Sequence, residues 1–122
     1  MLSQTLLVAL GGAVGAAARF ALGVALARPG FPVAVLTANV VGSFAMGIVV
    51  VWLGRAGLGH LQPLVMTGLL GGFTTFSAFS LETVALWEGG APVQAALYVA
   101  LSVGGALAAL VAGVALARGV LA

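Results

Sequence analysis

The polar side chains that could do chemistry in this sequence are few and stand within long apolar runs. Asn39 is the only asparagine, and Thr37 lies two residues before it. Hydroxyls cluster in GLLGGFTTFSAFS, which runs from Gly68 to Ser80, and Ser102 stands in the last apolar run. Amides and hydroxyls need hydrogen-bond partners that lipid cannot supply. We therefore expect these groups to bond to one another or to replace water around a small ion.

The same stretch carries aromatic rings and a glycine pair. Phe73, Phe76 and Phe79 recur at every third residue. Aromatic ring edges are weakly positive, so rings, hydroxyls and an amide together suit a small anion, although packing alone explains any single ring. Gly71-Gly72 predicts a break, because glycine inside a helix costs about 1 kcal/mol relative to alanine. Carbonyl groups freed by such a break suit a hard cation.

The composition places these groups in a membrane protein. Of the 122 residues, 63% are hydrophobic and 5% are charged, and the mean hydropathy is +1.31. Soluble domains carry about 25% charged residues, so this chain could not cover a water-facing surface. The sequence has no cysteine for thiolate metal sites, one histidine, and no basic run that would indicate nucleic-acid binding.

The apolar runs predict an all-α membrane protein with four transmembrane helices, the third broken near its middle. A helix needs roughly 20 apolar residues to cross a bilayer. Short connections between the runs make neighbouring helices antiparallel within a single integral-membrane domain, residues 1–122. Prolines that suit helix starts precede three of the spans. The predicted spans are approximately residues 3–26, 33–53, 64–87 and 93–117.

The charges at the span ends are nearly balanced between the two sides of the membrane. Arg55 and Arg118 fall on one side, and Arg28, with Arg19 near it, falls on the other. The positive-inside rule therefore has almost no bias on which to act. The sequence predicts insertion in both orientations, and an antiparallel dimer would follow from it. Because four short helices enclose little space, a pathway would require such an oligomer.

Three stretches resemble the Fluc (CrcB) family of fluoride channels. GGFTTFSAF, residues 71–79, is similar to the third-helix signature, which is roughly GGxTTFSTF. TANVVGSF from Thr37 holds the isolated asparagine, and GGAVGAAARF from Gly11 resembles a first-helix stretch that ends in arginine and an aromatic residue. The order of the stretches, the chain length and the four spans also match. Ala78 stands where the family usually has threonine.

The resemblance implies a dual-topology, antiparallel homodimer in the inner (plasma) membrane of a prokaryotic cell. Each dimer would contain two separate pores for passive fluoride export. A structural sodium ion would lie on the dimer axis, bound by the backbone carbonyls of Gly71 and Thr74 from both subunits. Arg19 would lie near a pore mouth. The fluoride pore would be lined by Asn39, Phe76, Phe79, Ser80, Thr37 and Ser102.

Other classes of protein fit the sequence less well. A small multidrug-resistance-type proton-coupled exporter shares the length and the four spans, but it needs a carboxylate in the first span, and residues 3–26 contain none. A pore-forming assembly protein such as a holin needs neither a buried asparagine nor a broken helix. An enzyme is not expected, because no nucleophile–base pair or metal cluster can be assembled. Glu82 and Glu88 are interpreted as solvated charges at the end of the third span.

Overall fold

The computed structural model describes residues 1–121 and confirms four helices long and apolar enough to cross a membrane within that range. Three spans are continuous: α1 (Leu2–Ala25), α2 (Val33–Arg55) and α5 (Pro92–Val120). The third span, Gly59–Glu88, is assembled from several pieces. The observed ends lie within a few residues of those predicted. Ala122, the last residue of the predicted domain, lies outside the described residues.

The third span is broken, but not at the glycine pair. It begins with a 3-10 turn (Gly59–Leu61) and a π-helical segment (Pro63–Leu70), continues through a short helix α3 (Gly71–Phe73), and ends in α4 (Phe76–Glu88). Thr74 and Thr75, between α3 and α4, are extended, with ψ of 159° and 123°. The prediction of a break at Gly71-Gly72 was therefore wrong in position. Both glycines are helical, and the chain leaves the helix after Phe73.

The break changes the neighbour of the third span. Its first half, the π-helical segment and α3, packs on α1, whereas its second half, α4, packs on α5. The most extensive contact elsewhere joins α2 and α5 along their length. A straight third helix could not follow α1 and then α5. The break therefore determines which helices the third span packs against, in addition to its local effect on the backbone.

Glycine is required at the contact between α1 and the third span because the two backbones nearly touch. A Cβ atom at Gly15 would collide with the carbonyl oxygen of Leu69, and one at Gly72 would lie 2.8 Å from the carbonyl oxygen of Gly12. Small residues allow such close approach in lipid, where hydrophobicity does not drive helix association. Gly72, one of the two glycines at the predicted break, is therefore needed for this close packing.

The contact between α2 and α5 is built in the same way. A Cβ atom at Gly47 would collide with the carbonyl oxygen of Leu110, and one at Gly113 would collide with that of Phe44. The glycines of these two helices thus form packing faces, and the structure identifies the backbone that each one contacts. Two pairs of helices, each joined backbone to backbone, form the frame of the chain.

Large apolar side chains point mainly outward. Phe20 is 74% exposed, Phe76 77% and Val93 79%, whereas Tyr98 is the largest side chain that is fully buried among the described residues. Such a surface would be unfavourable in water but suits hydrocarbon or a partner chain. The buried residues are accordingly mostly small, with Leu53, Leu70 and Phe79 as the large apolar exceptions.

Gly113→Ala should destabilise the chain, because the added methyl group meets backbone that cannot move aside without separating α2 from α5. We expect a loss of about 1–3 kcal/mol in the free energy of unfolding, the usual range for overpacking. Denaturant titration in detergent, followed by circular dichroism, would measure it. Gly104→Ala is the matched control on the same helix, because nothing lies within 4 Å of its added atom. Equal stabilities of the two variants would contradict the packing argument.

Candidate functional site

Asn39 holds the third span open at its break. Its Oδ1 accepts a hydrogen bond from the Thr75 backbone N–H at 2.7 Å, and its Nδ2 donates to the Thr75 carbonyl oxygen at 3.0 Å. In an unbroken helix that N–H would donate to the carbonyl of Gly71, four residues earlier. The asparagine amide thus provides hydrogen-bond partners for both the N–H and the carbonyl of Thr75. The Gly71 carbonyl is thereby released from that bond.

The two threonines at the break finish one helix and start the next. The backbone N–H and the Oγ1 of Thr74 both donate to the Leu70 carbonyl oxygen at 3.0 Å, which ends the first half of the span. Thr75 Oγ1 accepts from the Ala78 N–H at 3.1 Å and caps the start of α4. Ala78 takes part only through its backbone, so this cap does not need the threonine common in the family.

A groove of about 420 Å³ lies beside the break, between α2, α4 and α5. Its polar lining residues come from α2, from α5 and from the break itself, and among the residues of the described chain that line it, none carries a formal charge. The groove is open on one side. Its lining residues are Asn39, Gly42, Ser43, Met46, Thr74, Thr75, Phe76, Phe79, Ser102, Val103, Ala106, Leu107 and Leu110.

Ser102 brings an unpaired hydroxyl to this groove. The side chain is 6% exposed, and within residues 1–121 its Oγ has no hydrogen-bond partner. Leaving such a buried group unsatisfied costs about 1–3 kcal/mol, which makes a bound water or ion the natural partner. Ser102, on α5, therefore differs from most hydroxyls of the third span, which bond to the helix backbone.

Phe76 and Phe79 meet at the groove but differ in burial. Their ring centroids are 5.3 Å apart, and the ring planes are inclined at 52°. Phe79 is 8% exposed, whereas Phe76 is 77% exposed. Phe79 is thus part of the wall of a single chain, while Phe76 projects from it.

Three further predicted site residues lie outside this groove in the single chain. Ser80 is exposed, and its Oγ donates to the Phe76 carbonyl oxygen at 2.9 Å. Thr37 is half-buried on α2. Arg19 contacts the other side of the break, where its Nε donates to the Gly72 carbonyl oxygen at 3.3 Å. Their roles at a pore or its mouth stay predictions.

Tyr98 is a central residue that the sequence analysis missed. It is fully buried, and its Oη donates to Glu82 Oε2 at 3.0 Å. Its ring packs 5.3 Å from Phe79 and 5.5 Å from Phe31, centroid to centroid. The interpretation of Glu82 as a solvated charge is therefore incomplete, because its carboxylate is half-buried and accepts this hydrogen bond, whereas Glu88 is exposed. The one signal in the sequence was that Tyr98 is the only tyrosine.

The fold and the groove together define a small multi-pass membrane protein in which polar groups converge on a helix break, the arrangement seen in several ion-transporting proteins. The family profile described as "CrcB-like protein, Camphor Resistance (CrcB)" matches residues 6–114. The chain belongs to this family. The resemblance noted in the three sequence stretches is thereby confirmed.

Several similar proteins carry the same name. Proteins called "Fluoride-specific ion channel FluC" from Roseobacter denitrificans and Ruegeria sp. are each 58% identical to this chain. The alignment covers 98% of both sequences for the first and 99% of both sequences for the second. One of the same name from Jannaschia sp. is 68% identical over 75% of this chain and 88% of its own. The family is one of ion channels, which confirms that the chain is not an enzyme.

Asn39→Ala should destabilise the broken span, because it leaves the backbone N–H and carbonyl of Thr75 without partners. We expect a loss of about 2–3 kcal/mol in the free energy of unfolding in detergent. Ser43→Ala is the control on the same helix and in the same groove, with an expected change of about 0.5 kcal/mol or less. If Asn39→Ala unfolds with the wild-type free energy, the amide does not support the break.

Proposed function

We propose that the chain is a fluoride channel that lets fluoride leave the cytoplasm passively. The observation that carries the proposal is the buried, unpaired hydroxyl of Ser102 in an uncharged, mainly apolar groove beside Phe79. Relatives of near-equal length that share more than half of the sequence are named fluoride-specific ion channels. A proton-coupled drug exporter remains the alternative from sequence, but the family match does not favour it.

The groove supplies what a small anion needs when it loses water. Fluoride is strongly hydrated, so a pathway must offer close hydrogen-bond donors. Ser102 Oγ has its donor free, and Asn39 Nδ2 carries a second hydrogen besides the one given to Thr75. The lining contains no carboxylate to repel the anion and no cation to trap it. Neutral donors bind an ion weakly enough for it to leave again, which conduction requires.

The predicted pore residues divide into two groups in this proposal. Asn39, Phe76, Phe79 and Ser102 line the groove and would contact the passing ion, the rings through their edges. Ser80 and Thr37 would extend the polar track beyond it. Arg19, held at the break by Gly72, would add a positive potential that favours anions near one mouth.

A second copy of the chain would close the pathway. The groove is open on one side, and the exposed ring of Phe76 projects beside it. Polar groups open to hydrocarbon are unfavourable, so a covering surface is expected. The balanced arginines favour neither orientation, which supports an antiparallel homodimer of dual topology. Two equivalent grooves would then give two pores per dimer.

A sodium ion fits the backbone freed at the break. Asn39 diverts the Thr75 N–H from the carbonyl of Gly71, and Gly71 lies on the surface of the single chain. Thr74 is extended, so its carbonyl does not continue the helix. Carbonyl oxygens of Gly71 and Thr74 from two copies would form an oxygen site suited to a hard cation. When bound, Na⁺ would supply positive charge joining the two breaks.

The direction of transport follows from acid–base chemistry. Hydrogen fluoride crosses membranes as a neutral molecule and dissociates in a more alkaline cytoplasm, where the anion is trapped. A passive channel in the inner membrane of a prokaryotic cell would release it without coupling to another ion. The groove lining, with no titratable side chain among its residues, agrees with passive flow.

Fluoride efflux from proteoliposomes tests the proposal. The wild-type protein should release fluoride, measured with a fluoride electrode, and should release little chloride. Ser102→Ala and Phe79→Leu should each slow fluoride release by roughly tenfold or more, because each removes a contact to the ion. Phe20→Leu is the matched control, since this exposed ring on α1 lies away from the groove.

Two outcomes of these measurements would contradict the proposal. Absence of fluoride efflux from protein shown to be folded and reconstituted would reject it, and drug–proton exchange would then be measured in the same vesicles. Efflux that is fast in Ser102→Ala and Phe79→Leu would reject this groove as the pathway while leaving the activity intact.

Removal of sodium should weaken the dimer if the break binds this ion. In buffers of equal ionic strength, the dimer should dissociate at a lower temperature in N-methylglucamine chloride than in sodium chloride, because the carbonyls of Gly71 and Thr74 lose their shared cation. Size-exclusion chromatography of heated samples would show it. Identical dissociation temperatures would argue against the sodium site without bearing on fluoride efflux.

A further inference from the structure

Two arginines meet at one end of the bundle, away from the groove. Arg55 lies in the last turn of α2 and Arg118 in the last turn of α5. Arg55 Nη1 donates to the Arg118 backbone carbonyl at 3.2 Å, and both side chains are exposed. The two side-chain carboxylates, Glu82 and Glu88, are on α4, whose end adjoins the opposite end of α5. Among the described residues, this end therefore carries two guanidinium groups and no side-chain carboxylate.

A cleft of about 310 Å³ lies on the surface between these two helices, below the charges. Valines line its sides, and Gly54 has open space where a Cβ atom would stand. The cleft thus has apolar walls and a cationic rim, an arrangement that suits an acyl chain below an anionic group. Its lining residues are Val50, Val51, Gly54, Arg55, Val114 and Arg118.

This end of the bundle lies at the membrane surface. Both arginines stand at the ends of apolar spans, and Trp52, one turn before Arg55, is 42% exposed. Tryptophan is enriched at the level of lipid headgroups. Trp52 also lines a second, wholly apolar cleft of about 260 Å³ with Leu116 and Val120 near the same end of the two helices. The arginine rim is therefore placed at the depth of phosphate groups.

We propose that this cleft binds an anionic phospholipid, with the headgroup phosphate held between Arg55 and Arg118. Guanidinium groups match phosphate geometry and form charge-assisted, often bidentate hydrogen bonds. Arginine near a helix C-terminus also interacts favourably with the helix dipole. The bond from Arg55 to the last turn of α5 meets that need with one of its five N–H donors, and the others remain for a ligand.

Native mass spectrometry of the purified protein with equal amounts of phosphatidylglycerol and phosphatidylcholine tests the site. We expect the wild-type protein to retain the anionic lipid in preference by roughly tenfold, from two arginines near one phosphate. The double variant Arg55→Gln/Arg118→Gln should retain both lipids about equally. Arg118→Gln alone should lose part of the preference, and it leaves the bond donated by Arg55 in place.

Arg28→Gln is the matched control, because it removes the same charge from the opposite membrane surface, and it should keep the preference. Equal retention of both lipids by the wild-type protein would overturn the proposal. So would an unchanged preference in the double variant, or an equal loss in Arg28→Gln. A second arm adds inorganic phosphate at millimolar concentration. Displacement of the lipid by it would show a site for soluble anions and would reject the lipid assignment.

Discussion

The bond between the Asn39 amide and the backbone of Thr75 is the interaction on which the rest of the structure depends. It satisfies an N–H and a carbonyl that the third span would otherwise pair internally. With those groups bound, the span can be extended at two residues inside an apolar environment, where unpaired backbone is costly. The groove, the cap at Thr75 and the change of neighbour from α1 to α5 all follow from this local opening.

Close backbone packing is the second constraint, and it explains the composition. In hydrocarbon, contact between large apolar side chains gives little advantage over contact with lipid. The chain instead holds its helices together through glycines such as Gly15, Gly47 and Gly113. Large side chains are thereby left on the outside, and interior space is kept for Tyr98, Phe79 and the polar groups. The few buried polar residues are consequently bound to specific partners or face the groove.

The sequence predicted the spans well and the internal geometry poorly, for physical reasons. Hydropathy and proline positions determine where helices cross, so the observed ends are close to the expected ones. The break was expected from Gly71-Gly72, but Gly72 serves the contact with α1, and the real determinant, Asn39, lies on another helix. Closely packed glycines such as Gly15, Gly47 and Gly113 lie on several spans, and nothing in the sequence says which spans they join, so helix partners could not be assigned. Tyr98 has no local pattern, since its importance arises from Glu82 and two rings distant along the chain.

The pairing of the helices has a consequence for biogenesis. The principal partner of α1 is the first half of the third span, and that of α2 is α5, whereas α1 and α2 contact each other little. Sequential helices commonly pair as they emerge, but here each of the first two must enter the bilayer before its partner has been synthesised. α2 therefore crosses the membrane with Gly47 and the Asn39 amide still uncovered. The interleaved order makes this chain depend on lipid, or on the insertion machinery, to shelter its packing faces until translation is complete.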